Sequence, residues 1–301
     1  MEEKREKRSA GIVYTLCGGF CWGLSGCFGQ YLFHDKGITA EWMVTIRLFF
    51  AGILLLLLGL ILTGRQLGAI WRNRRDVRQL LLFSLVGMLS CQYTYFAAIQ
   101  HSNAGTATVL QALSPMVILA FVCLRGKRRP KLYEAAAIVC ALFGVFLLST
   151  HGDIHSMALT PPALLFGIGA AVGAAAYNLL SGDLLRTYGV YSVVGYAMMI
   201  AGIVMMLVVR PWQYEILWDK GTILAVVAVV VVGTAIAYAL YLKGVSIVGP
   251  FLGSIIGMVE PITAVLVSFL FLNEGFGLAD FIGFVLILGT ATMLTLRSRE
   301  K

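Results

Sequence analysis

The sequence predicts an all-α membrane protein of ten transmembrane helices, arranged as two inverted-topology repeats of five helices each. Three observations lead there. Of the 301 residues, 59% are hydrophobic and 13% charged, with a mean hydropathy of +0.87. A soluble domain carries about 25% charged residues, so this chain has too little polar surface to cover a soluble globule. The apolar residues are gathered into ten runs of spanning length. The chain is also written twice, at an offset of 146 residues.

A helix needs about 20 apolar residues to cross a hydrocarbon core of ~30 Å. The ten runs are 11–33, 42–63, 80–99, 105–124, 132–150, 164–185, 191–209, 221–245, 251–272 and 279–296. The first follows a charged tail, 1–10, and lacks the short apolar region of a signal peptide, so it is expected to be retained. Asp35 and Lys36 separate it from the second. The arginines of 72–78 precede the third span, and the basic run 125–131 separates the fourth from the fifth. Pro161 and Pro162 open the sixth, Arg186 lies between it and the seventh, and Arg210-Pro211 ends that span. Asp219 and Lys220 precede the eighth, Gly249-Pro250 the ninth and Gly277 the tenth. The domains read as a cytoplasmic tail 1–10, a first repeat 11–150, a second repeat 160–297 and a cytoplasmic tail 298–301.

Lysine and arginine set the orientation, because cytoplasmic loops are enriched in them. With the N-terminus inside, 19 of the 23 fall on the cytoplasmic side; Lys36, Arg210 and Lys220 fall outside, and Arg47 lies within a span. That asymmetry places both termini in the cytoplasm and requires an even number of spans. The net charge of +8 therefore reads as topology and contact with anionic lipid, not as nucleic-acid binding.

Tyr95 matches Tyr241 in the duplication, Gln92 matches Tyr238, Pro115 matches Pro261, and Leu132 matches Leu278. A slightly larger offset pairs Trp22 with Tyr177. Five spans are an odd number, so the second copy enters the membrane inverted. Such halves bind substrate near the midplane and alternate in access. Five of the seven prolines sit at span boundaries, while Pro115 and Pro261 sit mid-span at matched positions. Proline there removes a backbone hydrogen bond and kinks the helix, so the two are read as paired kinks lining a cavity.

The tract G-T-A-T-V-L-Q-A-L-S-P-M (105–116) resembles the signature of EamA-type members of the drug/metabolite transporter superfamily. So do G-S-I-I-G-M-V-E-P-I (253–262), F-L-N-E (271–274), D-F-I-G-F-V-L-I-L-G (280–289), Trp22-Gly23 and Arg47. The resemblance covers essentially the whole chain. It implies a ten-helix carrier whose spans one, three, four, six, eight and nine line a central cavity, with five and ten peripheral. One departure stands out: the family's Gly-Glu-Arg-like ending after span four is replaced by Leu-Arg-Gly-Lys-Arg-Arg (124–129), while the second half keeps Glu274.

Glu260, directly before Pro261, is the sharpest functional candidate, since an ionisable residue at mid-membrane costs roughly 2.5–3.5 kcal/mol. Three roles stay open: exchanging a coupling proton, pairing a cationic substrate, or satisfying the backbone at the proline break. Thr234, Tyr238 and Tyr241 share one face of span eight, and Gln92 and Tyr95 stand at the matching place in span three. Trp22 with Ser25 and Gln30, Tyr177 with Asn178, and Gln111 with Ser114 add polar groups that have no partners in lipid and should point inward. Together they suggest an aromatic pocket with few hydrogen-bonding groups, suited to amino acids, aromatic metabolites or amines, with cation–π attraction for the last.

Arg47 reads as a side chain that snorkels to the outer interface. Asp183 and Arg186 are spaced to pair on a helix face. His151, Asp153 and His155 read as a solvated turn rather than a metal site, His101 as solvated or capping, and the six cysteines as small buried hydrophobes. No P-loop, H-E-x-x-H or Ser/His/Asp set is present. The sequence thus predicts no enzyme and no cofactor. It predicts an inner-membrane carrier, an exporter of small organic metabolites, monomeric or homodimeric, driven by protons or by the substrate gradient. The rivals are an uncoupled pore and an intramembrane lipid-modifying enzyme.

Overall fold

The computed structural model describes residues 2–127, 129–151, 153, 159–249, 253 and 256–297. The helices are α1 (Glu2–His34), α2 (Ala40–Thr63), α3 (Arg74–His101), α4 (Ala104–Arg125), α5 (Leu132–Thr150), α6 (Pro161–Val209), α7 (Lys220–Val248), α8 (Val259–Phe271) and α9 (Leu278–Arg297). No strand occurs among the described residues. Predicted spans six and seven are two helices that share the label α6 and are separated at Gly189, whose backbone is non-helical with φ +72°. Spans eight, nine and ten correspond to α7, α8 and α9. Pro250 and the start of the ninth predicted span lie outside the described residues.

Large apolar side chains such as Ile61, Leu207 and Leu278 stand exposed around the bundle. In water that belt would drive aggregation; in a bilayer it faces hydrocarbon. α1 to α7 are long and apolar enough to cross a membrane, and α8 and α9 are shorter apolar helices.

The packing repeats itself under exchange of the two halves. α1 lies along α7, and the first half of α6 lies along α3; α1 also meets α8 as α6 meets α4. α2 packs on the second half of α6, α4 on α8, and α5 on α9. Glycines permit the closest approaches. A Cβ added at Gly52 would stand 2.6 Å from the Met199 nitrogen, and one at Gly173 would stand 2.6 Å from the Cys91 Cα. Such contacts gain van der Waals energy where no hydrophobic force acts between helices.

The duplication also reaches local backbone structure. A π-helical turn occupies Phe83–Leu89 in α3 and Ala228–Ile236 in α7, matched positions at the 146 offset. α4 is interrupted at Ala112–Leu113, and the chain turns at Met258 just before α8. Lys127 and Asn273, another matched pair, both take positive φ, at 46° and 54°. The next helices begin alike: the Lys131 N–H donates to Glu134 Oε2 and the Gly277 N–H to Asp280 Oδ2, each at 2.8 Å.

Candidate functional site

The interruptions in α4 and before α8 bring Pro115 and Pro261 to the first turn of a new helical segment, where a missing N–H costs little. Between them lies a cavity of about 210 Å³, lined by Trp22 of α1, Thr108, Gln111, Ser114 and Pro115 of α4, Ala174 of α6, Tyr241 of α7, and Gly257, Glu260 and Pro261. Among the described residues that line this space, Glu260 bears the one carboxyl group and none is basic. Two larger clefts, about 490 and 630 Å³, are apolar and open between helices at the bundle surface.

Aromatic rings form one wall. Trp22 meets Tyr238 edge-on at 5.0 Å between centroids and Tyr241 at 4.7 Å. The Tyr241 hydroxyl donates to the Gly253 carbonyl at 3.3 Å. Gly23, one residue after Trp22, lets α1 approach the backbone at Glu260; a Cβ there would stand 2.7 Å from the Glu260 carbonyl oxygen.

Other predicted site residues stand one layer back. Tyr95 is buried, its hydroxyl 2.9 Å from the Thr108 hydroxyl. Gln111, itself in the lining, donates to the buried Cys91 sulfur behind it at 3.4 Å. Tyr177 packs on Phe83 and interacts with Tyr238. α3 contributes no lining residue of its own, and Gln92 does not reach the cavity. Asn178 also stays out of the lining: it is exposed and donates to the Ala174 carbonyl, because a free amide one turn along its own helix finds the nearest backbone acceptor.

Arg47 overturns its expected reading. It does not snorkel; it is 4% exposed. Its Nε donates to the Thr234 hydroxyl at 2.8 Å, and its guanidinium lies over the Phe96 ring at 4.7 Å. The π turn explains why: Thr234 bonds back to the Val229 carbonyl five residues earlier, at 2.8 Å, and presents its oxygen to Arg47. Arg47 stands seven residues into α2, about 10 Å from the helix start, and the inward partners outcompete that reach. Glu260 is near enough for its charge to act on Arg47, though no ion pair joins them among the described residues.

Smaller readings also change. His151 bonds Asp280 at 2.5 Å rather than forming a free turn, and His155 lies outside the described residues. No metal-binding group of three occurs among the described residues. Asp183 and Arg186 are exposed and unpaired with each other. His101 stacks on Phe166 at 5.6 Å. The cysteines are free; Cys27 and Cys91 are buried, but Cys17 is exposed.

At the end of the bundle opposite the basic runs, Gln30 donates to Glu274 Oε1 at 2.6 Å and Asn103 donates to Glu274 Oε2 at 3.3 Å. Gln30 Oε1 accepts from the Ala104 N–H at 2.8 Å and from the Ser268 hydroxyl at 3.4 Å. These bonds tie α1, α4 and α8 together. Asn103 was missed at the level of sequence, although an asparagine before an apolar run is a helix-cap signal.

A helical bundle of membrane-spanning length, its packing repeated between halves around a central cavity, is the architecture of a membrane transporter. The EamA-like transporter family model matches residues 9–150 and again 161–296. The chain belongs to this family, within the drug/metabolite transporter superfamily, and its function is that of a multi-pass membrane transporter. It is 36% identical to the inner membrane transporter YicL of Salmonella typhimurium, over 97% of each chain. It is 27% identical to the threonine/homoserine exporter RhtA of Escherichia coli K12, over 77% of each chain. A solved crystal structure superposes with a TM-score of 0.62 at 18% identity, covering 97% of this chain and 98% of that one; this likeness concerns the fold alone.

Proposed function

We propose that the protein exports small amine-bearing metabolites, amino acids among them, from the cytoplasm by alternating access between its two halves. The observation that carries this reading is the cavity at the junction of the halves, where the Glu260 carboxylate stands beside Trp22 and Tyr241. A carboxylate attracts an ammonium group, and aromatic faces attract cations. Gln111, Ser114 and Thr108 offer hydrogen bonds for the remaining polar atoms. A volume of about 210 Å³ lies below the ~300 Å³ at which drug-sized pockets begin, which favours small substrates. The basic runs support a cytoplasmic side for the termini and the 125–131 segment. A relative named as an amino-acid exporter supports the direction and the substrate class. Glu260 is the group able to exchange a coupling proton for the substrate's charge; transport down the substrate gradient needs no such exchange.

The test is metabolite profiling, inside and outside, of cells with the wild type, with Glu260→Gln or with no transporter. One amine-bearing class leaving only the wild-type cells supports the reading; equal profiles in all three count against it. In proteoliposomes, trans-stimulation by unlabelled substrate separates a carrier from a pore, because only a carrier must reset through a conformational cycle. A chemically altered product would instead identify an enzyme.

A further inference from the structure

Among the described residues, the Gln30–Glu274–Asn103 network closes the cavity at the end away from the basic runs. Toward that end the neighbouring groups are sealed: Thr108 and Gln30 are each 3% exposed and Ser268 is 0% exposed. Toward the basic end, Ser114, Pro115, Gly257 and Met258 are only partly buried. Gln111 lies seven residues along α4 from Ala104, about 10 Å below the network.

The internal symmetry says what a matching closure at the basic end would require. Asn103 and Glu274 map at the 146 offset to Gly249 and Arg128. Gln30 maps to Leu185 at the 155 offset that pairs Trp22 with Tyr177. The same 155 offset relates Gly18, packed on Ala237 and Tyr241, to Gly173, packed on Ser90 and Cys91. The carboxylate acceptor has become a cation in this chain, and both amide side chains are gone. By sequence, the far-side carboxylate therefore has no carboxylate at the position matched to it on the basic side.

We infer that Glu274, with Gln30 and Asn103, is a one-sided latch that holds the carrier closed at the far face and open toward the basic face, so that loading from the basic side is the resting condition. This rests on the alternating-access reading above and adds which residues bias it. Charge-assisted hydrogen bonds are about twice as strong as neutral ones. Removing the charge should shift the balance between the two closures by roughly tenfold or more.

Hydrogen–deuterium exchange of the full chain in nanodiscs tests this without any substrate, so it stands or falls separately from transport. Glu274→Gln should speed exchange in far-face segments 100–112 and 264–277 about tenfold, and should slow exchange in basic-side segments 114–125 and 256–263. That reciprocal change is the signature of alternating access. Faster exchange at the far face alone, or no change, overturns the latch. Asn103→Asp gives an independent check: it keeps the side-chain oxygen that accepts from the Thr106 N–H at 2.8 Å but turns a second acceptor toward Glu274. A reciprocal change there supports the latch even where Glu274→Gln exchanges fast throughout. Fast exchange along the whole chain in both variants makes the network a folding element and overturns the proposal.

Discussion

The Nε–H of Arg47 in α2 donates to the Thr234 hydroxyl in α7 at 2.8 Å. The bond joins a buried cation to the π turn of α7. Tyr238 follows Thr234 by one helical turn and packs on Trp22 at the cavity wall. Arg47 thereby supports that wall from behind while making no contact with the cavity itself.

Arg47→Ala should destabilise the protein by about 2–4 kcal/mol, since it leaves a void beside Phe96 and strips buried Thr234 and Gly233 of a donor. Arg47→Lys should recover only part of this, because an ammonium lacks the planar fork and stacks less well on an aromatic ring. Thermal unfolding in detergent measures both; equal melting temperatures for the alanine variant and the wild type would remove Arg47 from the framework.

Tyr238→Ala should weaken substrate binding without unfolding the chain. The edge-on pair it forms with Trp22 contributes about 0.5–1.5 kcal/mol beyond area burial. A loss of roughly two- to tenfold in affinity is expected if Trp22 loses its orientation. Scintillation proximity binding with a transported amine reads this directly, and unaltered affinity would separate Tyr238 from the site.

Transport should depend on pH through Glu260, and Glu260→Gln should flatten the profile. The Lys36–Asp219 pair at the far face is the control. Lys36 and the Thr222 N–H hold the Asp219 carboxyl down at about 2. A lowered carboxyl stabilises the fold above its ordinary value near 3.9 and loses that contribution only as pH falls through the folded value. Asp219→Asn should therefore leave the profile between pH 5 and 8 unchanged. If Asp219→Asn rather than Glu260→Gln flattens it, the coupling role of Glu260 fails.

Gly173→Val should disrupt the bundle more than substitution at Gly182. A Cβ at Gly173 meets the α3 backbone at Cys91, while one at Gly182 meets nothing within 4 Å. Overpacking costs typically ~1–3 kcal/mol, and here the obstacle is main chain. Comparing folded yield after solubilisation of Gly173→Val and Gly182→Val tests the contact; similar yields would contradict it.

The sequence by itself determined the solvent, the helical class, the approximate spans and the duplication. Those properties are carried by composition, by run length and by residues matched at a constant offset, and each survives without knowledge of neighbours. The lining residues Trp22, Gln111, Ser114 and Tyr241 were legible because polar and aromatic groups have few alternatives in lipid. Only the tertiary structure decided that Arg47 turns inward, that Tyr95 and Tyr238 stand behind the wall, and that Asn178 stays out of it. The π turns, the interrupted helices and the Glu274 network belong to the same class. The direction in which a side chain finds its partner depends on atoms from distant spans, and in a uniformly apolar segment hydropathy carries little information about which face meets which neighbour.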